Sequence, residues 1–188
     1  MQLCNLCKLD WQKMSHFNLD MELIERQQNN RWNWKVISSN PKLTMDFVNR
    51  MNVSWDWYNI SCNPAITMQM IEDNLNKPWN WYAVSSNPNI TMEFINKHDV
   101  TWAWYNISCN PAITMQMIED NDKPWFWPGI SANPNITIEF IEKNINKPLC
   151  WYTLSSNPGL TVEIIQKFNK DWNWEKISHN KKLIQFIL

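Results

Sequence analysis

The chain has 188 residues, a formal net charge of −1, and 44% hydrophobic against 19% charged residues. This balance is typical of a folded protein and excludes an intrinsically disordered chain. Because there is no excess of positive charge, nucleic acid is a disfavoured partner. No apolar stretch is long enough for a signal peptide or a membrane span, so we expect an intracellular protein that neither spans a membrane nor is secreted.

Residues 1–30 are predicted to form a degenerate, polar repeat that caps the N-terminal end of the fold. They contain Cys4-x-x-Cys7, which is half of a zinc or redox motif. A zinc site needs four ligands, and His16 is the one nearby candidate for a third. We therefore predict neither a metal site nor a cofactor, and the sequence leaves the role of Cys4 and Cys7 open.

The rest of the chain is organised by the motif W-x-W-x-x-(Ile/Val/Leu)-S, which recurs every 23–24 residues. The closing serines of the motif are Ser15, Ser38, Ser61, Ser85, Ser108, Ser131, Ser155 and Ser178. All 14 tryptophans occupy its two aromatic positions, and Leu9 and Leu149 fill the remaining two. A fixed period of this length predicts a repeat fold. We expect a single array over residues 1–188, in which 31–188 hold seven W-x-W repeats, the last of them truncated.

The first segment of each repeat follows the pattern Asn-Pro-x-Ile-Thr and is predicted to be helical. Apolar residues at Ile90, Phe94 and Ile95 have the spacing of a helix and not of a strand. One column suits helix N-caps and holds Thr44, Thr67, Thr91, Thr114, Thr137 and Thr161. In the alternative start, the asparagine is the cap and the proline is the first helical residue.

The second segment is the tryptophan motif itself, which is predicted to be a second helix. It would begin just before the first tryptophan, where Ser54, Thr101 and Pro78 are residue types typical of helix starts. It would end at Ser-x-Asn-Pro, because a residue before proline leaves the helical region. With helices of roughly two turns each, these patterns predict an all-α fold, an α-solenoid of about eight 23–24-residue helix-turn-helix repeats. The alternative is a leucine-rich-repeat-like solenoid, which has a similar period and an asparagine in its consensus.

Three segments carry a resemblance to a known group of repeats: WDWYNISCNPAITMQMIEDN, WNWYAVSSNPNITMEFINK and WFWPGISANPNITIEFIEKNINKP. They resemble the tryptophan-rich W-x-W-x-x-I-S-x-N-P-x-I-T tandem repeats in proteins of large amoeba-infecting DNA viruses, and the resemblance covers about residues 9–188. It implies a viral protein in the host cytoplasm or the virion, with no established catalytic residues. The stretches 57–74 and 104–121 are identical, which indicates a recent duplication and favours a modular binding surface over an enzyme site.

The candidate partner face is a tyrosine column. The four tyrosines, which all lie three residues before a motif serine, are Tyr58, Tyr82, Tyr105 and Tyr152. With Asn59 and Asn106 beside two of them, they would form an amphipathic stripe of the kind favoured in binding surfaces. In the alternative, the tyrosines only pack between layers. The tryptophans are expected to be structural, since leucine replaces them twice.

These observations predict a non-enzymatic repeat scaffold that mediates protein–protein interaction, with a host or viral protein as its partner. The alternative is an aromatic platform that binds a glycan or single-stranded nucleic acid. At the C-terminal end, Phe186, Ile187 and Leu188 continue an apolar helical stripe without a polar cap. They are a candidate association end, for another chain or for end-to-end self-association.

Overall fold

The structure is a computed structural model that describes residues 9–180 and 183. Over these residues it contains fifteen short helices joined by turns, and no strand. The chain divides into two compact units, Met1–Ile90 and Thr91–Leu188, which are built from the same repeats. The predicted all-α solenoid of helix-turn-helix repeats is confirmed. The leucine-rich-repeat alternative is wrong for the described residues, because such repeats each contribute a strand.

Two kinds of helix alternate along the chain. The Trp helices, which begin at the second tryptophan of a motif, are α1 (Trp11–Met14), α3 (Trp34–Ile37), α5 (Trp57–Cys62), α7 (Trp81–Val84), α9 (Trp104–Cys109), α11 (Trp127–Ala132), α13 (Trp151–Leu154) and α15 (Trp174–Ser178). The Thr helices, which lie between them, are α2 (Met21–Arg26), α4 (Met45–Arg50), α6 (Met68–Glu72), α8 (Met92–Lys97), α10 (Met115–Asp120), α12 (Ile138–Lys143) and α14 (Val162–Lys167). Each has four to six residues, which is slightly more than one turn and shorter than predicted.

The threonine column caps the Thr helices, as predicted. In α12, for example, the Thr137 hydroxyl accepts a hydrogen bond from the Phe140 backbone N–H at 3.2 Å. The same contact caps α4, α6, α8, α10 and α14. The alternative start at the Asn-Pro pair is wrong, because those residues lie in the turn before the helix.

The Trp helices begin later than predicted, at the second tryptophan and not before the first. The cap is the residue between the two tryptophans, as where Asp56 Oδ1 accepts from the Asn59 backbone N–H at 2.9 Å. The first tryptophan lies outside the helix because its indole has another partner. Trp79 Nε1 donates to the Asn74 carbonyl at 2.8 Å, and Trp125 makes the same bond to Asn121. In these two repeats the first tryptophan bonds to a carbonyl just after the preceding Thr helix, whereas Trp55 bonds to the Val48 carbonyl within the last turn of α4; a helix end leaves such carbonyls open.

Tryptophans also join consecutive repeats through ring contacts. The second tryptophan of one repeat meets the first tryptophan of the next edge to face, a favourable geometry for aromatic rings. Such pairs, with centroid distances of 4.9–5.5 Å, are Trp11–Trp32, Trp34–Trp55, Trp57–Trp79, Trp104–Trp125 and Trp151–Trp172. Most of these rings are only half-buried, and Trp174 is 65% exposed. The fully buried positions belong instead to aliphatic side chains such as Ile60 and Ile113.

The motif serine is a hydrogen-bond link between repeats. Ser131 is fully buried, and its hydroxyl donates to the Trp127 carbonyl at 2.9 Å. The same oxygen accepts from the Cys150 backbone N–H of the next repeat at 2.8 Å. Accepting bonds of this kind are also made by Ser15, Ser38, Ser61, Ser108 and Ser155. Sequence analysis used the serine only to set the repeat register, so this role is a finding of the structure.

The asparagine that follows two residues after the serine forms a buried ladder. Asn133 is 0% exposed, and the two hydrogens of its Nδ2 group are shared among the carbonyls of Ser108, Asn110 and Ile113, at 3.0–3.1 Å. Its Oδ1 accepts from the Asn135 backbone N–H at 2.9 Å. Similar bonds to the previous repeat are made by Asn40, Asn63, Asn87 and Asn157. The column thereby satisfies backbone carbonyls in the turn of the previous repeat.

Candidate functional site

The tyrosine column lies on the outer side of the Trp helices. Each tyrosine is the second residue of its helix, whereas the tryptophan before it and the aliphatic residue three positions after that tryptophan share the packed face. The side chains of the column are therefore about half-exposed: Tyr58 49%, Tyr82 57%, Tyr105 49% and Tyr152 59%. In each unit, the column presents two large amphipathic rings to solvent.

In the second unit, residues of the next repeat extend the tyrosine column. The ring of Phe126, itself 47% exposed, meets Tyr105 edge to face at 5.7 Å. The ammonium group of Lys176 lies 3.9 Å from the centroid of the Tyr152 ring, a cation–π contact. Sequence analysis missed Phe126, although a signal was present. It is the one aromatic residue between the two tryptophans of a motif, a position that elsewhere holds mostly Asp or Asn caps.

The two asparagines of the predicted stripe differ from the tyrosines in exposure. Asn59 is half-buried, and its Nδ2 donates to the Lys35 carbonyl of the preceding repeat at 3.0 Å. Asn106 is only 8% exposed. The exposed surface of the column is thus formed by the aromatic rings, whereas Asn59 bonds to the preceding repeat and Asn106 is buried.

No known protein family, curated protein or solved structure matches this chain. The resemblance to viral tryptophan-rich repeats therefore stays a prediction.

Two of the described cysteines, Cys62 and Cys109, are partly buried. Burial raises the pKa of the Cys62 and Cys109 thiols, so they stay protonated at neutral pH and are weak nucleophiles. No group of three or more His, Cys, Asp or Glu side chains that could hold a metal ion occurs in the described part of the chain. Cys4 and Cys7 lie outside the described residues, as do Phe186, Ile187 and Leu188, so the candidate association end stays a prediction. None of the described helices is long and apolar enough to cross a membrane.

Proposed function

We propose that this protein is a non-enzymatic repeat scaffold that binds a partner protein through its tyrosine column. The observation that carries the proposal is the recurrent half-exposure of the tyrosines, 49–59%, at one position of the repeat. Most other polar groups of the motif form hydrogen bonds within the protein. The serines, the asparagines and the indole N–H groups of the first tryptophans all bond to backbone groups of their own or a neighbouring repeat.

Tyrosine suits such a surface because it supplies a large contact area and a hydrogen-bonding group with few rotatable bonds to immobilise. The first unit presents Tyr58 and Tyr82 from consecutive repeats. The second presents Tyr105 with Phe126, and Tyr152 with Lys176 above its ring. In protein interfaces, tyrosine is enriched at the positions that contribute most to affinity.

The partner is a host or viral protein under this proposal, because the sequence resembles viral repeats. A formal net charge of −1 gives little attraction to nucleic acid. Amoeba cells infected with a large DNA virus are therefore the lysate in which to search for the partner.

The test is quantitative affinity capture with the full chain as bait. One variant carries Tyr58→Ala and Tyr82→Ala, a second carries Tyr105→Ala and Tyr152→Ala, and the control carries Leu75→Ala, which removes a 50%-exposed residue outside the column. We expect at least one tyrosine variant to recover the partner about thirtyfold less, as truncation of interface hot spots does, while the control recovers it normally. Circular dichroism verifies that each bait is folded. Equal recovery by the wild-type chain and both tyrosine variants would overturn the proposal.

A further inference from the structure

The ladder of paired tryptophans is interrupted once within the second unit. Trp127 is the second tryptophan of its motif, and the residue of the next repeat that would meet it is Leu149, which is 7% exposed. A leucine side chain is smaller than an indole and has no aromatic edge to offer. Trp127 therefore lacks the edge-to-face partner that Trp104 and Trp151 have in the same unit.

The missing indole leaves its two expected neighbours facing each other. In other repeats, a phenylalanine of the Thr helix contacts the tryptophan that follows it, as Phe94 contacts Trp102 at 6.0 Å. Phe140 occupies the same column, but the residue after it is Leu149. Its ring instead lies against Trp127, with centroids 6.2 Å apart and planes inclined by 27°. Two aromatic rings are thus stacked at a place where other repeats have a three-ring contact.

A cleft of about 460 Å³ opens beside these rings, between α10 and α12. Trp125, Trp127 and Phe140 line one part of it. Its charged lining consists of Glu119, Asp122, Lys123, Lys143 and Lys147. This volume falls in the range of sites that bind small molecules, which combine apolar surface with a few polar groups.

The three lysines of the cleft are in different situations. Lys143 pairs with Glu119 at 2.8 Å, so its charge is largely compensated. The Nζ of Lys147 lies 5.8 Å from the centroid of the Trp127 ring, which keeps the ammonium group beside the aromatic surface. Lys123 forms no ion pair with a described carboxylate, and Asp122 is the remaining acid. Three cations against two acids give the lining a formal charge of +1, which matches a singly charged anion.

We propose that this cleft binds a small aromatic monocarboxylate. The planar ring lies against the half-buried rings of Trp125 and Trp127, and the carboxylate lies between the ammonium groups of Lys147 and Lys123. The two parts of the ligand are both needed, because a single exposed ion pair contributes little and the stacking surface is small. This site is separate from the tyrosine column and does not depend on the proposed function.

The first unit contains a matched cleft that is expected not to bind. A cleft of about 460 Å³ lies beside Trp11, which is equivalent to Trp127 in its repeat. There Asn30 takes the position of Lys147, and the charges of Asp10 and Arg31 cancel. Trp11 is also already in edge contact with Trp32 at 4.9 Å. In one titration, the indole N–H signal of Trp127 therefore monitors the proposed site, and that of Trp11 monitors the matched cleft.

The binding test is a titration of the full chain with indole-3-acetate, followed through the ¹H–¹⁵N signals of the tryptophan indoles. Trp127→Phe and Trp11→Phe assign the two signals. We expect the Trp127 signal to shift to saturation with a Kd of about 1 mM, as for other ligands of this size, while the Trp11 signal stays in place. The neutral analogue indole-3-ethanol and sodium acetate supply the ring and the anion separately, and each should bind at least fivefold more weakly. Equal binding of indole-3-ethanol would overturn the proposal.

Three variants test the position of the site. Lys147→Ala should weaken binding about fivefold, and Lys147→Arg should restore it. The matched control is Lys170→Ala, since Lys170 lies over Trp151 at 5.3 Å in a repeat that keeps its tryptophan pair; it should leave binding unchanged. Leu149→Trp restores the consensus and should abolish binding by engaging Trp127 and Phe140. Unchanged binding in the folded Leu149→Trp or Lys147→Ala protein would overturn the proposal.

Discussion

The asparagine column and the tyrosine column recur with the same period but have opposite surroundings. Asn133 is 0% exposed and bonds to three carbonyls of the previous repeat, whereas Tyr152 is 59% exposed. Regular recurrence in a sequence therefore marks a position without telling its role. The role follows from the number of internal partners that the side chain has in the fold. Substitution tests this role, because the loss of internal partners lowers the free energy of unfolding.

The largest expected effect is from Asn133→Ala. The substitution removes one acceptor and the donors to three carbonyls in a place that water does not reach, and unsatisfied buried groups cost about 1–3 kcal/mol each. Since not every freed group stays unsatisfied, we expect a loss of about 4 kcal/mol in the free energy of unfolding, measured by urea denaturation. A protein whose repeats melt independently would show this as a separate early transition.

Asn135→Ala is the matched control for that measurement. Asn135 makes similar bonds, to the carbonyls of Pro111 and Ile113 at 2.8 and 3.1 Å, but its side chain is exposed. Water can replace these bonds, so the loss should stay below about 1 kcal/mol. Equal losses in the two variants would show that burial does not set the importance of the ladder.

A second test of the buried positions is Gly129→Ala, in the contact between α9 and α11. A Cβ atom at this position would lie 2.8 Å from the Tyr105 carbonyl and 3.0 Å from Ser108 Cβ, so α9 and α11 could not keep their close approach. We expect a loss of about 2 kcal/mol in thermal or urea unfolding. The sign is informative, because alanine in place of a helical glycine without such a contact stabilises by roughly 0.5–1 kcal/mol. A stabilised variant would mean that the two helices can separate at no cost.

The motif serine should have an intermediate effect. Ser131→Ala leaves the Cys150 backbone N–H without its acceptor at the junction of two repeats, which should cost about 1.5 kcal/mol. Ser156→Ala, at an exposed hydroxyl that bonds to Thr153 within its own repeat, is the comparison and should change little. If both variants unfold at the same urea concentration, the serine does not link the repeats.

The sequence was sufficient to predict the helical repeat and the threonine caps. Both depend on residues that lie close together in the chain. The start of the Trp helices and the serine link could not be predicted in this way. The acceptor role of Ser131 depends on a backbone N–H nineteen residues away, and the first tryptophan leaves the helix to reach a carbonyl of the preceding one.

For the candidate site, the sequence identified the tyrosines but not the roles of their neighbours. Asn59 and Asn106 were grouped with them because adjacent residues of a short helix were treated as one stripe. In the fold, neighbouring helical positions point about 100° apart, so Tyr58 is exposed while Asn59 bonds to the previous repeat. The cleft beside Trp127 depends on a single leucine whose effect on packing becomes visible only when the ring contacts of several repeats are compared.

The smallest expected effect on stability is from Tyr58→Ala. Tyr58 is 49% exposed, so its truncation returns little apolar surface to water and should lower the free energy of unfolding by less than about 1 kcal/mol. Tyr58→Phe, which removes only the hydroxyl group, should unfold like the wild-type protein. This measurement separates the two interpretations of the column. A loss in Tyr58→Ala as large as that in Ser131→Ala would assign the tyrosine to packing between layers, whereas a small loss combined with reduced partner capture would assign it to binding.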